Sequence, residues 1–377
     1  MISALLVVVW VVTWTYVGAA VLAALRFSRR PMGAPPEGRP VSVLKPLYGA
    51  EPGLYENLRS FADQDYPDFQ VVLGLRDRTD AALPVARALI EARPQHDIAL
   101  IVDPQVSGSN LKVANLENML PAARHDLIVI ADSDMRVTRD YLAVVTAPLA
   151  HPETGIVTCP YKGVPDGGLW SRLAALQINY SFLPGALVGD WIQVGGGCFG
   201  ATIALRREVL ERIGGFGRLH HELADDHRMG SAVRSLGLKA VLSPYVVENR
   251  VSEPNIASLW RHELRWARTS RMMAPGGFAG SVVTHTVVLA ALVGLVCEPI
   301  AAGALLAASL LLRWGSAAAI ARWLDLPRDG LWLLPLRDVL SFAVFLGSFC
   351  GRNVSWRDQF LRVGPGGRMR LEEDKPV

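Results

Sequence analysis

Charge is what this 377-residue chain has least of: 19% of its residues are Asp, Glu, Lys or Arg, against 51% apolar ones. An ordinary soluble domain carries about 25% charged residues. That shortage, with a mean hydropathy of +0.26, excludes a disordered chain, which is polar and poor in aliphatics. It also argues against a fully soluble enzyme. Lysine is nearly absent, 5 residues beside 33 arginines, an imbalance that reads as the codon bias of a GC-rich, bacterial genome. The four cysteines, Cys159, Cys198, Cys297 and Cys350, lie too far apart for a metal-ligand or disulfide framework, which fits a reducing cytoplasmic face. A net charge of +3 is too small to argue for a nucleic-acid partner.

Long apolar runs are what the chain does have. Residues 2–27 form one, closed by Arg26 and then Ser28-Arg29-Arg30. A spanning helix needs about 20 such residues. A signal peptide carries its charges in front of the apolar core, and here they follow. Residues 1–28 therefore read as a transmembrane anchor with its N-terminus outside and Arg29 onward in the cytoplasm. Residues 29–40 are a Pro/Gly linker. Residues 41–275 then alternate short apolar runs with helical patterns, the signature of an α/β fold with a mostly parallel sheet. Strands are expected at 41–47, 69–76, 97–102, 126–131 and 155–160, with helices between them at 82–92 and 113–123.

Residues 168–189 present an apolar face (Trp170, Leu173, Leu176, Phe182, Leu183, Leu187) that suits either a membrane-interface helix or a buried core helix. Residues 281–350 form a C-terminal membrane region. Its first apolar stretch, 282–312, is broken at Glu298-Pro299, as one long tilted helix or two hinged ones; its last, 331–349, contains Arg337-Asp338. Residues 351–377 are a basic, cytoplasmic tail, which requires an even number of crossings after residue 280. Two crossings plus a re-entrant or interfacial segment are expected.

Asp132-Ser133-Asp134 follows the expected strand 126–131. Ligand sites of open α/β sheets lie at the carboxyl ends of strands, and two carboxylates there can hold a hard divalent cation bridged to phosphate oxygens; a solvated turn is the plainer alternative. Asp225-Asp226 opens a helical stretch, where a carboxylate is either a cap or a general base. Arg261, Arg265, Arg268 and Arg271 share a helix face, fit for lipid headgroups or for a pyrophosphate. Asp77 ends the second strand. Lys45 and Lys112 stand out in a chain that uses arginine almost everywhere.

The order strand-end Asp, DxD, Asp-Asp and RW between two membrane regions resembles the inverting membrane glycosyltransferases of the large family that includes cellulose synthase. Within it, the chain is most similar to the ceramide glucosyltransferases and their bacterial, hopanoid-glycosylating relatives. Val43-Leu44-Lys45-Pro46-Leu47 with Gly49 resembles the ceramide enzymes' opening strand, Asn110-Leu111-Lys112 with Asn115-Leu116 their Lys-Asn-Leu segment, and Ser355-Trp356-Arg357 a C-terminal element. The runs at 168–173, 198–207 and 262–269 are more similar to the hopanoid branch.

The resemblance implies a nucleotide-sugar transferase fold of GT-A type with flanking transmembrane helices. It implies that Lys45, Asp77, Lys112, Asp132, Arg265 and Trp266 bind the nucleotide sugar. Asp134 with Asp132 would hold Mg²⁺ or Mn²⁺, Asp226 would be the catalytic base, and Asp225 and His262 would face the acceptor. His262 stands where the family has Gln or Arg. The expected partners are a UDP-sugar donor, a lipid acceptor and the bilayer, with no nucleic acid. The expected donor is UDP-N-acetylglucosamine and the expected acceptor bacteriohopanetetrol, with UDP-glucose and ceramide as the alternative. The expected location is the bacterial inner membrane, multi-pass, with the catalytic domain on the cytoplasmic face. Rival classes fit less well. Aspartyl-phosphate phosphatases place DxD on their first strand with Thr or Val two residues later, where this chain has Arg136 after its fourth. A processive polysaccharide synthase needs more spanning segments, and a transporter or scaffold has no need of the ordered carboxylates.

Overall fold

A computed structural model describes residues 2–33, 38–193, 197–351, 353–356, 359–364 and 367–371. Residues 34–37 of the expected linker, Arg357 and residues 372–377 of the tail lie outside the described residues. The chain opens with α1 (Ile2–Ser28), which is apolar on every side. There follow β1 (Val41–Pro46), α2 (Leu54–Ala62), β2 (Phe69–Leu75), α3 (Ala82–Ala92), β3 (Ile98–Val102), α4 (Leu111–Met119) and β4 (Leu127–Ala131). The short β5 (Met135–Arg136) and α5 (Tyr141–Thr146) lead to β6 (Thr154–Thr158) and β7 (Tyr161–Pro165). Next, α6 (Leu169–Gln177), a π-helix at Ile178–Phe182 and α7 (Leu183–Trp191) run on without a break. β8 (Thr202–Arg206), α8 (Arg207–Arg212), α9 (Asp225–Ser235), β9 (Lys239–Leu242) and β10 (Val247–Val251) complete the α/β part.

The main sheet has the order β3-β2-β1-β4-β8-β6-β9. Strands β1 to β4 are parallel, and β8 runs antiparallel between β4 and β6. Every residue of β1 and β4 is buried, which is why both read as unbroken apolar runs: a sheet covered on both faces leaves no polar alternation. All five strands expected from the sequence are present within two residues. A second sheet, β5-β10-β7, had no counterpart in the hydrophobic pattern, because β5 is only two residues long. Its register sets Asn249 opposite Met135, beside Asp134.

α10 (Ile256–Met273) leaves the α/β part and is followed by α11 (Pro275–Gly280), α12 (Thr286–Gly294), α13 (Pro299–Trp323) and α14 (Leu334–Ser348). Three small strands, β11 (Asn353–Trp356), β12 (Gln359–Val363) and β13 (Met369–Leu371), close the chain. Three helices among the described residues are long and apolar enough to cross a membrane: Val7–Ser28, Pro299–Trp323 and Leu331–Ser348. The pair Pro275–Thr284 and Thr286–Gly294 is bent by 70°, as in a broken span or a re-entrant loop. The break at Glu298-Pro299 is real, and Pro299 opens α13, where its missing N–H costs no helical hydrogen bond. The apolar face of residues 168–189 packs inside the protein: Leu173, Leu176, Ile178, Leu183 and Leu187 join Ala23, Ala24 and Phe27 of α1 and Ala317 and Ile320 of α13 in one core.

Charges buried among these helices are paired. Arg313 of α13 donates to Asp338 of α14 at 3.0–3.2 Å and to the Tyr180 carbonyl at 3.0 Å. Arg337, fully buried, meets Glu263 of α10 in a bidentate pair at 2.6 and 2.7 Å.

Candidate active site

Strand β4 ends at Ala131, so the next three residues leave the carboxyl edge of the sheet. Asp132 Oδ1 lies 2.6 Å from Lys112 Nζ, and Lys45 Nζ donates to the Asp132 carbonyl. Lys45 is a cation in the middle of an apolar strand, fully buried and 3.7 Å from the centre of the Phe61 ring. Burial pushes its ammonium down to about 7 against the pull of Asp132, Asp134 and Glu51. Lys112 is held the other way: burial disfavours its charge, but Asp132 and Asp225 raise it above its ordinary value. Asp134 Oδ2 accepts from Asn249 Nδ2 at 2.7 Å, and burial together with the Asp132 charge raises its carboxyl.

Asn110 fixes the start of α4. Its Oδ1 accepts from the backbone N–H of Lys112 and Val113 at 3.0 and 3.1 Å, an N-cap that also aims Lys112. Its Nδ2 donates to the Glu222 carbonyl at 2.8 Å and reaches Asp225 Oδ1 at 3.5 Å. Helix α9 begins with both acidic residues in its first turn, where the helix dipole favours negative charge. Asp225 turns inward to Lys112 (3.9 Å), and burial raises its carboxyl although Lys112 lowers it. The Asp226 carboxylate accepts from the Gly200 N–H at 2.8 Å and from the His227 N–H at 2.7 Å. Burial, then the charge of Asp225, lift Asp226 to about 6.

Gly200 is where these groups converge. A Cβ built there would lie 3.3 Å from Asp226 Oδ2, 3.5 Å from Lys112 Nζ and 3.7 Å from Asp132 Oδ2. Residues from β4, α4 and α9, widely separated in the chain, thus meet around one glycine at the start of β8. Tyr161 of β7 adds an aromatic wall. Burial, and then the charges of Asp226, Asp134 and Asp132, raise its phenol, while Arg265 acts in the opposite sense. Arg265 of α10 is thus close enough to Tyr161 for its charge to be felt there.

The remaining residues singled out in the sequence lie further from this meeting point. Asp77 is in the exposed turn after β2 and accepts from the N–H and hydroxyl of Thr79, which lower its carboxyl. His262 pairs with Glu253 at 2.8 Å, and its ring centre lies 4.2 Å from that of Trp266. Trp266 packs on the rim of the core between α6 and the C-terminal helices. The arginine face of α10 divides: the charge of Arg265 acts on Tyr161, while Arg268 and Arg271 donate to the carbonyls of Cys350 and Gly351. Sequence reasoning missed Asn110, Gly200, Asn249 and Tyr161 as contributors. Asn110 lies in the segment that resembles the ceramide enzymes and Gly200 within the run 198–207, but Asn249 and Tyr161 are placed by strand pairing and carry no sequence signal.

No group of three or more His, Cys, Asp or Glu that could hold a metal ion is found among the described residues. Asp132 and Asp134 fit a hard divalent cation nonetheless. They are two neighbouring carboxylates whose mutual repulsion a cation relieves, and their remaining coordination is of the kind that phosphate oxygens and water supply.

The sequence model described as glycosyl transferase family 21 matches residues 5–369. Ceramide glucosyltransferase 1 of Caenorhabditis elegans is 27% identical over 237 residues, 62% of this chain and 50% of that protein. A ceramide glucosyltransferase of Komagataella phaffii is 33% identical over 117 residues, 30% of this chain and 23% of that protein. The chain thus spans about half the length of the first relative and less of the second. Among solved structures, a mannosyltransferase from Pyrobaculum calidifontis in complex with GDP-mannose and Mn²⁺ superposes with a TM-score of 0.55, at 20% identity, over 93% of this chain and 99% of that one. The fold is the GT-A-like α/β arrangement that the resemblance implied, with apolar helices able to span a membrane.

Proposed function

We propose, on the premise that this chain belongs to glycosyl transferase family 21, that its cleft moves a hexosyl unit from a UDP-sugar to a hydroxyl of a membrane polyol lipid, with inversion. The convergence of Asp226, Lys112 and Asp132 around Gly200 supports this reading: it brings a carboxylate fit to act as a base close to a lysine fit to meet a diphosphate. Asp226 takes the proton of the acceptor hydroxyl. The oxygen attacks the anomeric carbon from the face opposite UDP, and the bond to the diphosphate oxygen breaks with its electron pair going to UDP. An α-configured donor gives a β-linked product. Burial, and then the charge of Asp225, raise Asp226 to about 6, close to neutral pH, where a general base is most effective. Lys45, Lys112 and Arg265 oppose the charge that develops on the diphosphate. Mg²⁺ or Mn²⁺, held by Asp134 with Asp132, would supply further positive charge there. Asp77 is assigned to the nucleotide, Trp266 to the donor side and His262 to the acceptor side.

For donor and acceptor we take UDP-N-acetylglucosamine and bacteriohopanetetrol, on the runs at 168–173, 198–207 and 262–269. The second reading, UDP-glucose with ceramide, is favoured by the two ceramide glucosyltransferases among the relatives. Both place the protein in a bacterial cytoplasmic membrane with the cleft on the cytoplasmic side, which accounts for an apolar sugar transferase: the acceptor cannot leave the bilayer. The test offers the detergent-purified protein each donor with each lipid and reads products by mass. N-acetylhexosamine added to the tetrol supports the first reading and a hexose on ceramide the second. UDP release with no lipid product in any pairing rejects the acceptor class.

A further inference from the structure

A small pocket with several hydroxyl-bearing residues in a mainly apolar lining lies among the helices, apart from the carboxylate cleft. Tyr16, Val17 and Ala20 of α1, Tyr180 and Ser181 of the π-helix, Thr284 and Thr286 before and at the start of α12, and Arg313 and Ser316 of α13 contribute to its lining. Tyr16 and Arg313 both belong to helices apolar enough to span a membrane. The Arg313 guanidinium is satisfied by Asp338 and the Tyr180 carbonyl, and Ser316 donates to the Arg313 carbonyl at 2.9 Å. Three hydroxyls are not satisfied. Tyr16, Ser181 and Thr286, the last 1% exposed, make no hydrogen bond with any described residue. A hydroxyl set among membrane-spanning helices without a protein partner is costly, because hydrocarbon offers none. Three on residues that line one pocket mark a site for a group that both donates and accepts.

The pocket shares a wall with the cleft. Ser181 precedes Phe182, whose ring stacks on Tyr161 at 4.6 Å and meets Phe199 edge-on at 5.2 Å. Phe199 precedes Gly200, which donates to Asp226. One π-helical turn, a geometry frequent at functional sites, therefore gives one residue to the pocket and the next to the aromatic shelf beside the base. We infer that this pocket binds a hydroxyl-bearing part of the acceptor lipid through Tyr16, Ser181 and Thr286, while another hydroxyl of the same lipid reaches Asp226. The inference rests on the lipid-acceptor reading above and adds to it where the acceptor's polar groups are held.

The test uses the full chain in detergent with two probes, bacteriohopanetetrol and a short-chain ceramide, and the variant Tyr16→Phe/Ser181→Ala/Thr286→Val, which removes three oxygens at nearly constant shape. The expected result is a lipid Kd and acceptor KM raised about tenfold or more, with UDP affinity and donor KM unchanged and Tm equal to or above that of the wild type. Unchanged lipid affinity and acceptor KM in a variant of wild-type or higher Tm would overturn the pocket and leave the transferase reading intact. Lipid binding that weakens in the variant, from a wild-type protein that transfers no sugar, would keep the pocket and reject the transferase reading. Should the triple variant not fold, Thr286→Val alone is read the same way, with a threefold or smaller change in lipid affinity counted against the pocket.

Discussion

At the carboxyl edge of the sheet four carboxylates, Asp132, Asp134, Asp225 and Asp226, face the two lysines Lys45 and Lys112. Among the apolar helices, by contrast, each buried arginine meets one carboxylate in a multiply bonded pair, Arg313 with Asp338 and Arg337 with Glu263. In the first arrangement burial, and then the neighbouring carboxylates, raise Asp134, Asp225 and Asp226; the second closes on itself. On the proposed reading the cleft receives a cation, a diphosphate and a proton, and such a site has to remain unbalanced until they arrive. The arginine–carboxylate pairs, which hold the helices to one another, do not. Buried pairs of the second kind contribute little net stability and cost a great deal when halved. What Arg337 and Glu263 do is tie α14 to the helix that carries His262, Arg265 and Trp266.

The contrast is broken most severely at the base. Asp226→Asn should lower kcat by about 10²–10⁴-fold, the usual worth of a general base, with UDP-sugar affinity retained; normal turnover would remove Asp226 from that role. In the helices, Glu263→Ala leaves Arg337 buried and unpaired and should cost about 3–5 kcal/mol, seen as a large fall in Tm. The double variant Glu263→Leu/Arg337→Met should lose less than the single one, and an equal loss would contradict the closed-pair description. Asp134→Ala should weaken UDP binding in Mg²⁺ or Mn²⁺ by about tenfold or more, as expected for losing a charged ligand. An affinity equal with and without EDTA in the wild type would reject the metal assignment.

The smallest effect is a matter of pH. Because Asp226 sits at about 6 rather than at 3.8, the folded protein binds the extra proton between those values. Its favourable contribution is full below about pH 3.8 and is lost as pH rises through about 6. Activity runs the opposite way, falling as pH drops through about 6 and the base is protonated. Asp226→Asn should therefore be slightly more thermostable than the wild type at pH 8, with the difference fading toward pH 4. Thermal melts across that range check the sign, and a variant less stable at pH 8 would show that the native carboxylate is not strained there.

The apolar runs, the βαβ alternation and the position of Asp132 and Asp134 after β4 were legible in the sequence because each follows from local patterning: buried parallel strands are continuously apolar, and a carboxylate after such a strand leaves the sheet edge. The helix-start position of Asp225 and Asp226 was legible for the same reason. What local patterning could not show is which distant segments meet. Asn249 reaches Asp134 only through the pairing of β10 with β5, and Tyr161 faces the carboxylates only because β7 lies beside β10. Gly200 was visible as a residue but not as the point where β4, α4 and α9 converge. Composition and periodicity are properties of neighbours along the chain, and they determined the strands, the helices and the acidic strand end. Register, crossover and helix packing are properties of neighbours in space. They alone decided that Asp226 faces Asp132 and Lys112, that Arg337 closes on Glu263, and that three hydroxyls stand unpartnered beside Arg313.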